Sequence, residues 1–235
     1  MCNCKAGESA DRFSEMKKNT VSSKGQLKES QYVSFVNPEG KGKRIMFIGN
    51  SITLHGVIES IGWFNAWGMA ASAKEKDYVH LLIEKIRATQ PDAAFCICQV
   101  ASWERAYKTG TELHRLYESA RDFGADILIM RMVENCPSAE LDGVAFKREL
   151  NSLLEFLGGE DVVMTTGFWH HPLDEFIVEY AEEKNYPLAT LGDLGEMDCM
   201  KAIGLFEHTG VANHPGDKGM AAIADRIFEK LEPLL

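Results

Sequence analysis

No stretch of this chain approaches the ~18–20 consecutive apolar residues of a membrane-spanning helix. Positive charge is also scarce, with 25 Lys and Arg against 35 Asp and Glu and a net charge of -10. A surface of that sign suits neither nucleic acid nor an anionic membrane, which both require a basic face. The six cysteines form no disulfide framework: Cys136 and Cys199 are isolated, and Cys96 and Cys98 alternate within one apolar run. Reduced thiols are therefore expected. Cys2 and Cys4 make a C-x-C pair, but no second pair or nearby His completes four ligands, so no metal and no cofactor is expected. No G-x-G-x-x-G follows the first strand and no P-loop is present, which weighs against nucleotide binding. The opening residues Met1 to Glu8 contain no apolar signal-peptide core, and the expectation from them is a cytoplasmic protein.

What is present concentrates at residues 45–55, Ile-Met-Phe-Ile-Gly-Asn-Ser-Ile-Thr-Leu-His. An apolar run of strand length stops at Gly49, and Ser51 follows two positions later. In open parallel α/β sheets, side chains just past a strand gather at the edge where ligands bind. Ser51 is thus placed as a nucleophile would be. Its base is found near the C-terminus, at His214 in Asn213-His214-Pro215-Gly216-Asp217, ahead of a last amphipathic helix.

From residue 43 strands and helices alternate. Strands are expected at 44–48, 93–100, 126–133 (interrupted by Arg131), 161–166 and 187–191, and helices at 74–89, 111–123, 139–157, 173–184 and 217–231. Near-continuous apolar strands alternating with helices call for a parallel sheet covered on both faces. The expected fold is a flavodoxin-like three-layer α/β/α sandwich with a central parallel sheet of about five strands. Residues 1–40 are polar and irregular and are expected as an N-terminal arm, either mobile or wrapped along the domain edge, with a short edge strand at 32–36, and 41–235 are expected as one domain that carries the site. No internal repeat and no Pro/Gly/Ser linker divides it.

The loops after these strands would bring to one edge Ser51, Ala101-Ser102-Trp103-Glu104, Glu134-Asn135, Gly167 to His171, and His214. Together they supply what acyl transfer requires: a nucleophile, a base within reach, and donors for an oxyanion. Each residue also has a plainer reading. Ser51 and Asn135 suit helix caps, Glu134 a structural carboxylate, and Glu104-Arg105 either a buried ion pair or a surface pair.

Gly49-Asn50-Ser51-Ile52-Thr53 resembles the first block of the SGNH (GDSL-like) hydrolases, with Asn50 where Asp is commoner. Glu134-Asn135 resembles their third block, and His214-Pro215 with Gly219-Met220 their last. Residues 62–72, Gly-Trp-Phe-Asn-Ala-Trp-Gly-Met-Ala-Ala-Ser, are similar to a bacterial subgroup of that family. The resemblance implies a serine esterase with Ser51 as nucleophile and His214 as base. It also implies an oxyanion hole from the Ser51 N–H, a main-chain N–H at Ala101 or Ser102, and the Asn135 side chain. Two positions depart from the pattern. The Asp three residues before the His is Val211, and the oxyanion Gly after the second strand is missing from 99–103. His214 is then oriented either by a backbone carbonyl within 210–213 or by a carboxylate from Glu134, Asp193 or Glu196.

His55, Trp63, Trp103, Trp169 and His170 are expected as pocket walls, with core packing an equal alternative for Trp63. The expected substrate is a small soluble ester, with carbohydrate O-acetyl groups preferred, since aromatic faces suit sugar rings. A homo-oligomer is compatible with this sequence. A competing class is a non-catalytic flavodoxin-like module that binds a ligand or partner at the same edge.

Overall fold

A computed structural model describes residues 27–139 and 141–235. The arm expected at 1–40 falls largely outside the described residues, as do Cys2 and Cys4. Six strands form one sheet: β1 (Val33–Val36), β2 (Arg44–Gly49), β3 (Ala94–Gln99), β4 (Ile127–Arg131), β5 (Asp161–Thr165) and β6 (Leu188–Ala189). Their spatial order is β1-β3-β2-β4-β5-β6. β2 to β6 pair in parallel, and β1 adds an antiparallel edge against β3. The five expected parallel strands are thus joined by the expected edge strand as a sixth. Counted without that edge, the order is the doubly wound 2-1-3-4-5, whose switch point lies where the β2 and β4 ends meet.

Side chains along each strand alternate between two buried faces, as the two-residue period requires. Met46, Ile48, Cys96, Cys98, Leu128 and Met130 enter one core. That core is closed by α3 (Glu118–Phe123), α4 (Gly143–Leu157) and α5 (Asp174–Lys184). Ile45, Phe47, Phe95, Ile97, Ile127 and Ile129 enter the other, under α1 (Tyr78–Arg87) and α8 (Asp217–Leu231). The result is a mixed α/β sandwich with helices on both faces. Cys96, Cys98 and Cys136 are buried free thiols and Cys199 is an exposed one. No helix among the described residues is long and apolar enough to cross a membrane.

Three helices start later than the spacing predicts, each for a local reason. The helix expected from residue 74 begins at Tyr78 because Asp77 caps it, accepting from the His80 N–H at 2.8 Å. The one expected from 139 begins at Gly143, capped by Asp142 through the Ala145 N–H at 2.9 Å. The segment expected to be helical over 111–123 is a 3₁₀ run, Tyr107–Tyr117, that becomes α3 only at Glu118. Gly110 is pressed against the Trp103 indole there, where an added Cβ would lie 2.5 Å from Nε1. Tertiary packing has overridden helical spacing.

Candidate active site

The turn after β2 is tight by construction. A Cβ on Gly49 would fall 1.9 Å from Thr53 Oγ1 and 2.5 Å from the Arg131 carbonyl oxygen, so only glycine allows β4 and the turn to close around this point. Asn50 O accepts from the N–H groups of Thr53 and Leu54 at 2.9 and 3.0 Å, and Asn50 Oδ1 accepts from Ile52 N–H at 3.3 Å. Ser51 O accepts from Met69 N–H at 2.8 Å. The loop over residues 67–69 therefore pins the serine from the other side.

His214 follows a short helix, α7 (Thr209–Ala212), and its backbone is tied by a bond from its own N–H to Val211 O at 3.0 Å. Ala202 N–H donates to His214 O at 2.9 Å. The side chains of Ser51 and His214 meet, with Oγ and Nε2 separated by 2.9 Å. On the far side of the ring, Nδ1 lies 2.7 Å from Gly210 O. A carbonyl only accepts, so Nδ1 must carry the hydrogen, and in the neutral ring Nε2 is left as the acceptor facing the serine. Trp169 packs edge-on to the imidazole with ring centroids 5.3 Å apart. Burial, partly opposed by the Gly210 bond, lowers the His214 pKa to about 4.

None of the three carboxylates expected as orienters occupies that place. Glu134 forms a bidentate pair with Arg131, at 2.7 and 2.8 Å, and accepts from Phe168 N–H at 2.8 Å. Asp193 pairs with Arg226. Glu196 lies with Asp193, Asp174, His170 and Thr166 around a separate cavity of about 490 Å³ past the ends of β5 and β6. Val211, where the resemblance would place an Asp, is buried with Trp63, Met69, Ala70 and Ala202.

Next to Ser51 and His214 lies a buried polar network that the sequence disclosed only in part. Asn50 Nδ2 donates to Glu104 Oε1 at 3.0 Å and to Glu134 Oε2 at 2.5 Å, and its Oδ1 accepts from Arg131 at 2.6 Å. Asn135 Nδ2 donates to Glu104 Oε2 at 2.7 Å. For Glu134, burial pushes the carboxyl upward, but the Arg131 charge and hydrogen bonds prevail and hold it below the ordinary value. For Glu104, burial and the Glu134 charge raise it. Arg131 alone in an apolar strand was the available signal, since a buried guanidinium demands a partner. Glu104 and Arg105 are not a pair. Glu104 is buried, while Arg105 reaches Asn135 Oδ1 at 3.4 Å.

Ser102 stands in the first turn of α2 (Ala101–Arg105), where helix geometry leaves main-chain N–H groups without intrahelical partners. The neighbouring Ala101 N–H donates to Gln99 Oε1 at 3.3 Å. Of the expected pocket walls, two are core. Trp63 is enclosed against Trp67 and Phe206, and Trp103 against Tyr107 and Phe146, because both indoles point inward under the loops that carry them. His55 is half-buried, with Nδ1 2.7 Å from Gly56 O, and Trp169 is half-buried beside the dyad. His170 is exposed and turns to Asp174 at 3.5 Å, in the separate cavity. Among the described residues no group of three or more His, Cys, Asp or Glu is placed to hold a metal ion.

No family model matches the chain. No curated protein matches it either. Solved structures do. A two-domain esterase active on acetylated mannans aligns with a TM-score of 0.54 at 18% identity over 84% of this chain and 50% of its own. The chain therefore spans about half the length of that esterase. A lipase/acylhydrolase from Enterococcus faecalis aligns with a TM-score of 0.54 at 14% identity, covering 82% of this chain and 97% of its own. A catalytic mutant of an acetylxylan esterase from Geobacillus stearothermophilus gives 0.52 at 14% identity, covering 82% and 95%. These neighbours are esterases and an acylhydrolase, and what this chain shares with them is the α/β sandwich fold.

Proposed function

We propose that this protein is a serine esterase, with Ser51 as nucleophile and His214 as general base, acting on small soluble esters. The observation that carries the reading is the 2.9 Å contact between Ser51 Oγ and His214 Nε2, with Gly210 O holding the ring in the accepting tautomer. The Ser51 proton moves to Nε2 as Oγ bonds to the ester carbon, and the carbonyl electrons move onto oxygen. The Ser51 N–H, the Ser102 N–H and the Asn135 amide stabilise that oxyanion. Collapse breaks the bond to the alcohol, which leaves with the proton from Nε2. Water then repeats the cycle, giving its proton to Nε2 and its oxygen to the acyl carbon, and Ser51 recovers its hydrogen. Each oxyanion donor is worth roughly 3 kcal/mol of barrier, about a hundredfold in rate.

The substrate class we favour is carbohydrate O-acetyl esters. Two structural neighbours are described as acting on acetylated mannans or xylan, and the Trp169 ring beside His214 offers an apolar face.

The test is exposure to a fluorophosphonate probe, read by intact mass and peptide mapping, alongside a panel of p-nitrophenyl esters and acetylated sugars. Labelling at Ser51 and ester cleavage that Ser51→Ala abolishes with its circular dichroism intact are expected. Unchanged mass after long exposure would instead favour a non-catalytic binding module.

A further inference from the structure

Ser51 and Asn135 leave the sheet from different strands, β2 and β4, so their relative placement depends on whatever ties the two loops together. That tie is Glu104. Fully buried on α2, it accepts through Oε1 from Asn50 Nδ2 at 3.0 Å and Val133 N–H at 2.5 Å, and through Oε2 from Asn135 Nδ2 at 2.7 Å. One carboxylate thus grips the residue before the nucleophile and two residues of the loop after β4.

Burying a second carboxylate next to Glu134 is costly, and the backbone shows what it secures. Val133 has φ +134°, a region that β-branched residues strongly avoid and that persists only where surroundings enforce it. Its N–H is the one held by Glu104. Asn135 lies two residues on. Its amide carries two N–H hydrogens: one is taken by Glu104, and Arg105 engages the oxygen at 3.4 Å. The amide cannot flip without setting its oxygen against a carboxylate, so the nitrogen side is fixed.

We propose that Glu104 is a positioning residue of the oxyanion pocket, holding the strained turn at Val133 and presenting the second Asn135 N–H to the carbonyl that Ser51 attacks. This rests on the serine-esterase reading above. All three partners of Glu104 are donors. Gln in its place would therefore turn an NH₂ group toward at least one of them, at nearly unchanged volume.

The experiment is a double-mutant cycle on an ester the wild-type protein cleaves, using Glu104→Gln, Asn135→Ala and the pair. Expected is a fall in kcat on the order of a hundredfold for Glu104→Gln, with KM changed less than about threefold because ground-state binding is spared. In the Asn135→Ala background the same change should cost less than about threefold, since its effect travels through the missing amide. An equal factor in both backgrounds overturns the proposal, as does wild-type kcat in a folded Glu104→Gln protein. Should that variant not fold, the ¹⁵N spectrum of the wild-type protein reads the contact directly. An Asn135 amide pair with one proton shifted downfield and slow to exchange supports the proposal, and a pair averaged by rotation overturns it. A wild-type protein that neither labels at Ser51 nor cleaves esters overturns the esterase reading and this inference with it. A labelled, active protein with additive costs overturns this inference alone.

Discussion

His214 Nδ1 lies 2.7 Å from the carbonyl oxygen of Gly210, four residues back in the short helix α7. A carbonyl dipole does the orienting work that a carboxylate does in a three-membered triad, and it sets the tautomer equally well. It lacks the negative charge that would stabilise the imidazolium formed during attack. On the serine-esterase reading proposed above, the Ser51–His214 pair is therefore geometrically complete and electrostatically lean.

The pH dependence follows from that environment. Burial lowers the His214 pKa to about 4, below the ~6.5 of a free imidazole. Between those values the native ring stays neutral and able to accept the serine proton. Ester cleavage should hold its neutral-pH rate down to about pH 5 and fall only as pH approaches 4. The same shift makes the unfolded chain bind more protons than the native one in that window, so stability declines as pH falls from about 6.5 to 4. A pH series of kcat/KM with its acidic limb centred near 6.5 would contradict the assignment of His214 as base.

Restoring the more familiar Asp at position 211 should fail. Val211 is buried among Trp63, Met69, Ala70 and Ala202, and a carboxylate there would be stripped of water among apolar side chains. The expected cost of Val211→Asp is about 3 kcal/mol or more, read as a large drop in denaturation midpoint, with no gain in kcat. A stable Val211→Asp enzyme that turns over faster would show that the loop can rearrange to a triad.

These residues also mark how far the sequence could be read. Strands were legible because five of them are apolar at nearly every position, Ser51 because it follows a sharp strand end, and His214 because it stands just before the last amphipathic helix. What the pattern could not disclose is which way a loop side chain faces. Trp63 and Trp103 sit close to the site in sequence and turn into the core. Glu104 looked like half of a local Glu-Arg pair, yet its partners are 29 to 54 residues away in the chain. Such contacts have no local spacing to betray them. The 3₁₀ run at Tyr107–Tyr117 escaped as well: Gly110 lies against the Trp103 indole there, a packing contact that helical spacing does not encode.

The two classes of tryptophan should separate in experiment. Trp63→Ala empties a fully buried site and should cost about 3–5 kcal/mol of stability, measured by urea denaturation, while the folded fraction keeps its pH profile. Trp169→Ala removes a half-buried ring from the edge of the imidazole. It should cost far less stability and admit water to His214, moving the acidic limb upward toward ~6.5. If the two variants behaved alike, Trp169 would be a packing residue only.

The sharpest case is Asn50, where the familiar first block carries Asp. Here the amide nitrogen donates to Glu104 and Glu134 while the oxygen accepts from Arg131. Asn50→Asp, which looks like a reversion to the commoner motif, would place a third carboxylate against two others with one guanidinium to share. Removing the amide donor takes one hydrogen bond from Glu104 Oε1, which keeps Val133 N–H, and one from Glu134 Oε2, which keeps Arg131, and it adds like-charge repulsion, so a loss of several kcal/mol is expected. The sign with pH is definite. The new carboxyl's folded pKa is raised above its unfolded value of about 3.9, so the repulsive part of the penalty is absent at low pH and grows as pH rises past that value. Thermal melts at pH 4 and pH 7 should show the gap between Asn50→Asp and wild type widening at the higher pH. Glu104→Gln added to Asn50→Asp should recover part of the loss by removing one of the facing charges. Equal melting shifts at both pH values would mean that position 50 tolerates a charge, and that the network does not select the amide.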